Sequence, residues 1–209
     1  DSGTALPSFD DIRQTVDNMA RTTLYAGDTT MCRQFLGDLL YYLAPRTGQS
    51  YKEGTGYLID TYILDREDIW KSQDDSLKVV GFAQMQSELL SKSIPGTKVS
   101  DLKLPGDLLR HGKKIKAGEF RLRNLRKDVN IVIFYTEGCH ICDAEKSAAR
   151  SLVAETKDVQ VLMVNIDRIL KDDPALADRL FDRFDLSSLP YILTTDRSGK
   201  IQSRYVTLQ

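Results

Sequence analysis

The spacing of apolar residues changes character once along the chain, near residue 95. Before that point apolar side chains recur at the three- and four-residue intervals of amphipathic helices. Phe9, Ile12, Val16 and Met19 form one stripe after Pro7-Ser8, with Ser8 placed to cap the helix. Met31, Phe35, Leu39, Leu40 and Leu43 form a second, closed by Pro45 and Gly48. "EGTGYLIDTYILD" predicts a short third helix. Leu77, Val80, Phe82, Met85, Leu89 and Leu90 predict a fourth, closed by Pro95-Gly96. All four stripes read as helix core.

After Gly96 the period shortens. "KVSDLKL" alternates like a short strand, and "LRHGKKIKAGEFRLRNLRKD" is rich in turn and basic residues. "VNIVIFY" (129–135) is a continuous β-branched and aromatic run, as expected of a strand buried on both faces. "ICDAEKSAARSLVAE" follows as a helix with Ala144, Ala148, Leu152 and Val153 inward. "VQVLMVNID" (159–167) predicts a second buried strand, and "DPALADRLFDRF" a helix with Pro174 near its start. "LPYILTTDRSGKIQSRYVTL" predicts two strands joined at Ser198-Gly199. This is an α/β order. The expected organisation is a mainly helical region over 1–95 and an α/β domain over 96–209.

Composition narrows the field. The chain has 209 residues, with 29 Lys and Arg against 30 Asp and Glu, so no global charge points to nucleic acid. No apolar run approaches the roughly 18–20 residues of a membrane span. Three cysteines are too few for a disulfide framework. The first residue is Asp1, not Met, so a segment upstream, such as a secretion signal, is expected to have been removed.

Cys139 and Cys142 sit three apart, just after the run ending at Tyr135. A strand feeding a short loop and then a helix puts Cys139 at the helix N-terminus, where free N–H groups and the dipole favour a thiolate. Three residues is about one helical turn, so Cys142 is within reach for a disulfide. One thiolate can attack a substrate disulfide and the other resolve the mixed disulfide. Half a zinc site and two inert thiols are the alternatives. Only Cys32, His111 and His140 remain as soft ligands, and none has matching spacing, so no metal is expected.

"IVIFYTEGCHIC" and "SSLPYILTTDRSGKI" together resemble the thioredoxin fold, and within it the TlpA/ResA-like envelope proteins. "PGTKVSDLKL" with "GKKIKAGEFRLRNL" is similar to their N-terminal hairpin. The first 95 residues more loosely resemble the helical region preceding this fold in a group of bacterial envelope proteins, through "LLYYLAP" and "LLSKSIPGTKVSDL". The resemblance implies a thioredoxin-like three-layer domain and a thiol–disulfide oxidoreductase, expected to be a reductase of protein disulfides. Cys139 would be the nucleophile and Cys142 the resolver. Glu145, in the pattern CxxCxxE, would exchange a proton with Cys142. Leu189-Pro190 matches the family's cis-proline, beside which substrate backbone pairs. The couple itself would carry the electrons without a further cofactor. Protein clients and an upstream redox partner are implied, in the cell envelope, periplasmic or lipid-anchored through the segment removed before Asp1. A non-catalytic scaffold with a locked cysteine pair is the competing reading.

Departures from the family matter too. Ile133 stands where cytoplasmic thioredoxin buries an aspartate, Gly138 replaces a tryptophan, and His140-Ile141 replaces Gly-Pro. A protonated His140 would favour the neighbouring thiolate; the alternative reading is a ring that simply meets water. The family's final helix has no sequence before Gln209, so one sheet face is expected to lie open or to be covered by the helical region. The basic run Arg110–Lys127 reads as a solvated face, or as a contact for an acidic partner or lipid headgroups. Cys32 reads as a core residue, Trp70 and Tyr41-Tyr42 as packing, and His111 as a turn residue.

Overall fold

The computed structural model describes residues 6–70 and 74–209; Asp1, with the processing expected before it, lies outside them. The chain forms two compact units, Asp1–Ser91 and Lys92–Gln209.

The first unit holds four helices: α1 (Phe9–Tyr25), α2 (Thr29–Leu43), α3 (Gln49–Tyr62) and α4 (Asp74–Leu90). Ser8 caps α1 in a capping box. Its hydroxyl accepts from the Asp11 N–H, and the Asp11 carboxylate accepts from the Ser8 N–H. The buried face of α1 holds the expected Ile12 and Val16, but its next member is Ala20, and Met19 is exposed. In α2 the core takes Cys32, Leu36, Leu40 and Leu43, whereas Met31 and Phe35 face outward. Leu77 and Met85 of α4 are likewise exposed, and Ala83 is buried. Close approach is seen between α1 and α3. A Cβ on Gly54 of α3 would lie 2.4 Å from Ile12 Cγ2, so glycine is what allows α1 and α3 to touch.

Trp70 is buried, its Nε1 donating to the Tyr62 carbonyl at 2.8 Å. Tyr41 and Tyr42 are about half exposed. Tyr41 stacks on Phe82 and Tyr42 lies under Arg46, so neither is a core residue. Asp17, 9% exposed, accepts two tyrosine hydroxyls in this unit. Tyr57 and Tyr62 both donate to its Oδ1, at 2.6 and 2.8 Å.

The second unit is built on a six-stranded sheet in the order β2-β1-β4-β3-β5-β6. The strands are β1 (Lys103–Arg110), β2 (Lys116–Arg121), β3 (Val129–Tyr135), β4 (Val159–Asn165), β5 (Tyr191–Thr195) and β6 (Ile201–Arg204). The helices are α5 (His140–Glu155), α6 (Ile166–Asp172) and α7 (Pro174–Arg183), with a 3-10 turn at Leu122–Asn124. β3 and β4 are parallel at the centre; the other pairings are antiparallel.

Period-two alternation divides β3 between two cores. Ile131, Ile133 and Tyr135 meet α5 through Cys142, Ala149 and Val153. Val132 and Phe134 meet α6 and α7 through Ile166, Ile169, Leu176 and Leu180. The three layers are therefore α5, sheet, and α6 with α7. Val206 and Leu208, after β6, pack on the α5-side core.

Three boundaries depart from the sequence pattern. The strand expected over 98–104 begins only at Lys103 and runs through Pro105-Gly106, a pair that reads as a turn. Pro105 is tolerated because pairing with β4 starts at Asp107, so its missing N–H interrupts no ladder on that side. The second buried strand stops at Asn165. Its side chain accepts from the Arg168 N–H and so starts α6, a helix absent from the sequence reading. Lys92 and Ser93 belong to the second unit, because Lys92 Nζ and Ser93 Oγ donate to the Phe181 and Arg183 carbonyls at the end of α7.

Candidate active site

β3 delivers the chain to the loop Thr136–Glu137–Gly138. Gly138 has φ +70°, a left-handed turn that glycine makes at no steric cost. The loop is tied to the start of α6. Asp167 Oδ2 accepts from Thr136 Oγ1 at 2.5 Å and from the Glu137 N–H at 2.8 Å. Those bonds, Thr136's first, hold the Asp167 carboxyl below the usual carboxylate range. Asn165 Nδ2 donates to Glu137 Oε1 at 2.6 Å.

Cys139 is the N-cap of α5. Its backbone is extended and its Sγ accepts from the Cys142 N–H at 3.1 Å. Cys139 and Cys142 are joined as a disulfide across a Cα–Cα distance of 5.2 Å. The two sulfurs are not equivalent. Cys139 is half-buried, at the rim of the α5-side core, whereas Cys142 is fully buried within it. In the reduced state the outer sulfur would meet both the helix dipole and an N–H donor, which favour a thiolate.

Glu145 occupies a core-facing position one turn beyond Cys142 and is only 3% exposed. Along the buried face of α5 it stands with Cys142, Ala149 and Val153, where the sequence pattern had placed Ala144 and Ala148. Its carboxylate accepts from Thr207 Oγ1 at 2.5 Å, from the Leu208 N–H at 2.8 Å and from Gln209 Nε2 at 3.5 Å. A buried carboxylate is tolerated only with such partners.

The Leu189–Pro190 bond is cis. Leu189 packs against the same core cluster whose edge holds Cys139. His140 is exposed on the first turn of α5, and Ile141 beside it is also exposed. One turn on, Lys146 pairs with Asp143 at 2.7 Å and holds that carboxyl below its usual range. Lys146 Nζ also lies 4.4 Å from the centre of the Tyr135 ring. Cys32, the remaining cysteine, is buried in the core of the helical unit. Among the described residues no three His, Cys, Asp or Glu side chains stand together as a metal-ligand group.

The sequence reading missed Asp167, Asn165, Glu137 and Thr207. The capping pattern Asn165-x-Asp167 at a strand end was the available signal for the first two. Glu137 and Thr207 carry no local signature, since each acts through a partner about 30 or more residues away. A cavity of about 590 Å³ opens beside the loop, lined in part by Tyr135, Glu137, Asn165, Arg168 and Gly106.

Residues 95–209 match the AhpC/TSA family. No curated protein matches the chain. A thioredoxin-like protein from Bacteroides caccae is 16% identical, with a TM-score of 0.60 over 96% of this chain and 73% of that one. That likeness places the chain in the thioredoxin-like fold with a helical N-terminal region. The chain is also similar to a domain of a possible thiol-disulfide isomerase from Cytophaga hutchinsonii: 14% identity, TM-score 0.42, 56% of this chain and 88% of that one. A thioredoxin domain of a thiol-disulfide oxidoreductase from Bacteroides vulgatus gives 17%, 0.38, 55% and 89% in the same order.

Proposed function

The chain belongs to the AhpC/TSA family, and on that premise we propose that it is a thiol–disulfide oxidoreductase that reduces protein disulfides through Cys139 and Cys142. The observation that carries the reading is the asymmetry of the pair. Cys139 caps α5 at the surface, and Cys142 is bonded to it from the core.

The cycle follows from that asymmetry. The reduced Cys139 thiolate attacks one sulfur of a client disulfide. A mixed disulfide forms and the client's other sulfur leaves as a thiolate. Cys142 gives its proton to Glu145 and attacks the Cys139 sulfur. The second client sulfur leaves and takes a proton. Two electrons have passed to the client, and the protein is left with the Cys139–Cys142 bond seen here. An upstream dithiol partner restores it. On this reading the segment at the cis Leu189–Pro190 bond positions the client backbone, and the exposed His140, next to Cys139 in the chain, faces the client. The site of action is the bacterial cell envelope. Among the described residues no helix is long and apolar enough to cross a membrane.

The test is trapping. Cys142→Ser should accumulate mixed disulfides with oxidised client proteins, and Cys139→Ser/Cys142→Ser should not. Failure to trap any client, with the fold intact, would leave the scaffold reading. The couple's reduction potential sets the direction. A value near that of thioredoxin, about −270 mV, supports a reductase, and one near about −120 mV an oxidant.

A further inference from the structure

We propose that the second unit carries an anion site for a phosphate-type group at the end of the sheet remote from the cysteines. β3 separates the two places. Its seven residues span roughly 20 Å, from Val129 beside this site to Tyr135 beside the active-site loop. The paired ends of β1 and β4 meet there as Arg110 opposite Gln160.

A concavity of about 220 Å³ lies at that end, well above the roughly 10–15 Å³ that one water needs. Arg110, Lys113, Arg126, Lys127 and Lys157 line it, together with His111, and no Asp or Glu does. Four of these five cations come from the basic run read in the sequence as a solvated face. The fold gathers them around one hollow and adds Lys157.

The hollow is anchored from within. Gln160 is 1% exposed. Its Nε2 donates to Asn130 Oδ1 at 2.7 Å, and its Oε1 accepts from Arg110 Nε at 2.9 Å. Nδ2 of Asn130, fully buried, lies 3.0–3.2 Å from the carbonyls of Lys127, Thr195 and Asp196, which share its two protons. The guanidinium of Arg110 is thus held by its inner nitrogen, and both terminal nitrogens have no protein partner among the described residues. A fixed guanidinium with its fork unspent matches two oxygens of a tetrahedral anion. Lys113 and Lys157 have no carboxylate partner among the described residues. Lys127 Nζ donates to the Lys157 carbonyl at 2.8 Å and Arg126 Nη1 to the Arg197 carbonyl, which fixes two more cations at the rim. Like charges held together repel, and an anion at the centre relieves that repulsion. The same chemistry is offered by free phosphate and by the phosphate of a lipid headgroup.

The experiment titrates inorganic phosphate into the full chain at low salt, read by backbone amide shifts in NMR, against chloride at matched ionic strength. Phosphate-specific shifts should centre on Gly112, Lys113 and Lys157. Lys113→Gln/Lys157→Gln should weaken binding by at least about tenfold, equivalent to about 1.4 kcal/mol. Lys114→Gln/Lys116→Gln, in the same basic run but outside the hollow, should leave it unchanged. A second arm sediments the protein with phosphatidylglycerol or phosphatidylcholine vesicles. Phosphate shifts without pelleting assign a free anion. Pelleting on phosphatidylglycerol alone, abolished by the first double variant and not by the second, assigns a headgroup. No phosphate-specific shift together with no such pelleting, or equal effects of the two double variants, would overturn the site.

Discussion

The hydroxyl of Thr207 donates to the buried carboxylate of Glu145 across 62 residues of sequence. The contact ties the segment after β6 to the helix that carries both cysteines. Thr207→Val keeps the shape and removes the donor, leaving a buried acceptor short of one partner. The expected loss is about 1–3 kcal/mol, read by hydrogen exchange at the α5 amides. In a Glu145→Leu background the same change should be near neutral. Equal effects in both backgrounds would show that Thr207 acts by some other contact.

Cys139 serves as a helix cap as well as half of a disulfide. Cys139→Ser and Cys139→Ala both abolish the covalent bond, so comparing them isolates the cap. The serine variant should protect the first turn of α5 better, by about 1 kcal/mol. Equal protection would mean that the cap contributes nothing once the bond is gone.

Asp17 gives the helical unit two pH limits. The Tyr57 hydrogen bond, with a further one from Tyr62, holds its folded pKa below the ordinary value. Its contribution is therefore complete above the unfolded value of about 3.9 and is lost as pH falls through the folded one. Burial, with the Asp17 bond second, pushes Tyr62 up to about 12. That contribution is complete below the unfolded value of about 10 and is lost as pH rises through the folded one. Trp70 is the chain's one tryptophan and belongs to this unit, so its fluorescence can follow the transition. Asp17→Asn should flatten the acid limb of melting temperature against pH. An unchanged acid limb would place the sensitivity in other carboxylates.

What could be read from the sequence was whatever a local pattern encodes. β3 and β4 declared themselves by length and β-branching, the cysteine pair by its place between a strand and a helix, and α1 by Ser8. The helix phases were harder to read. Met19, Met31 and Phe35 are as apolar as the neighbours that are buried instead, so hydrophobicity alone does not set which of them faces inward. Glu145 was legible as part of a motif and not as a core residue, because its partners lie beyond the last strand. The basic run looked solvated since its anchor, Gln160, belongs to another strand.

Asp167 belongs to α6, which packs on the face of the sheet opposite α5, yet it grips the loop leading into Cys139. The two sides of the sheet are therefore not mechanically independent. Through those two bonds a shift at the start of α6 would be felt at the loop that precedes Cys139. A protein docking on that distant side would hold a lever on the cysteine pair without ever touching it.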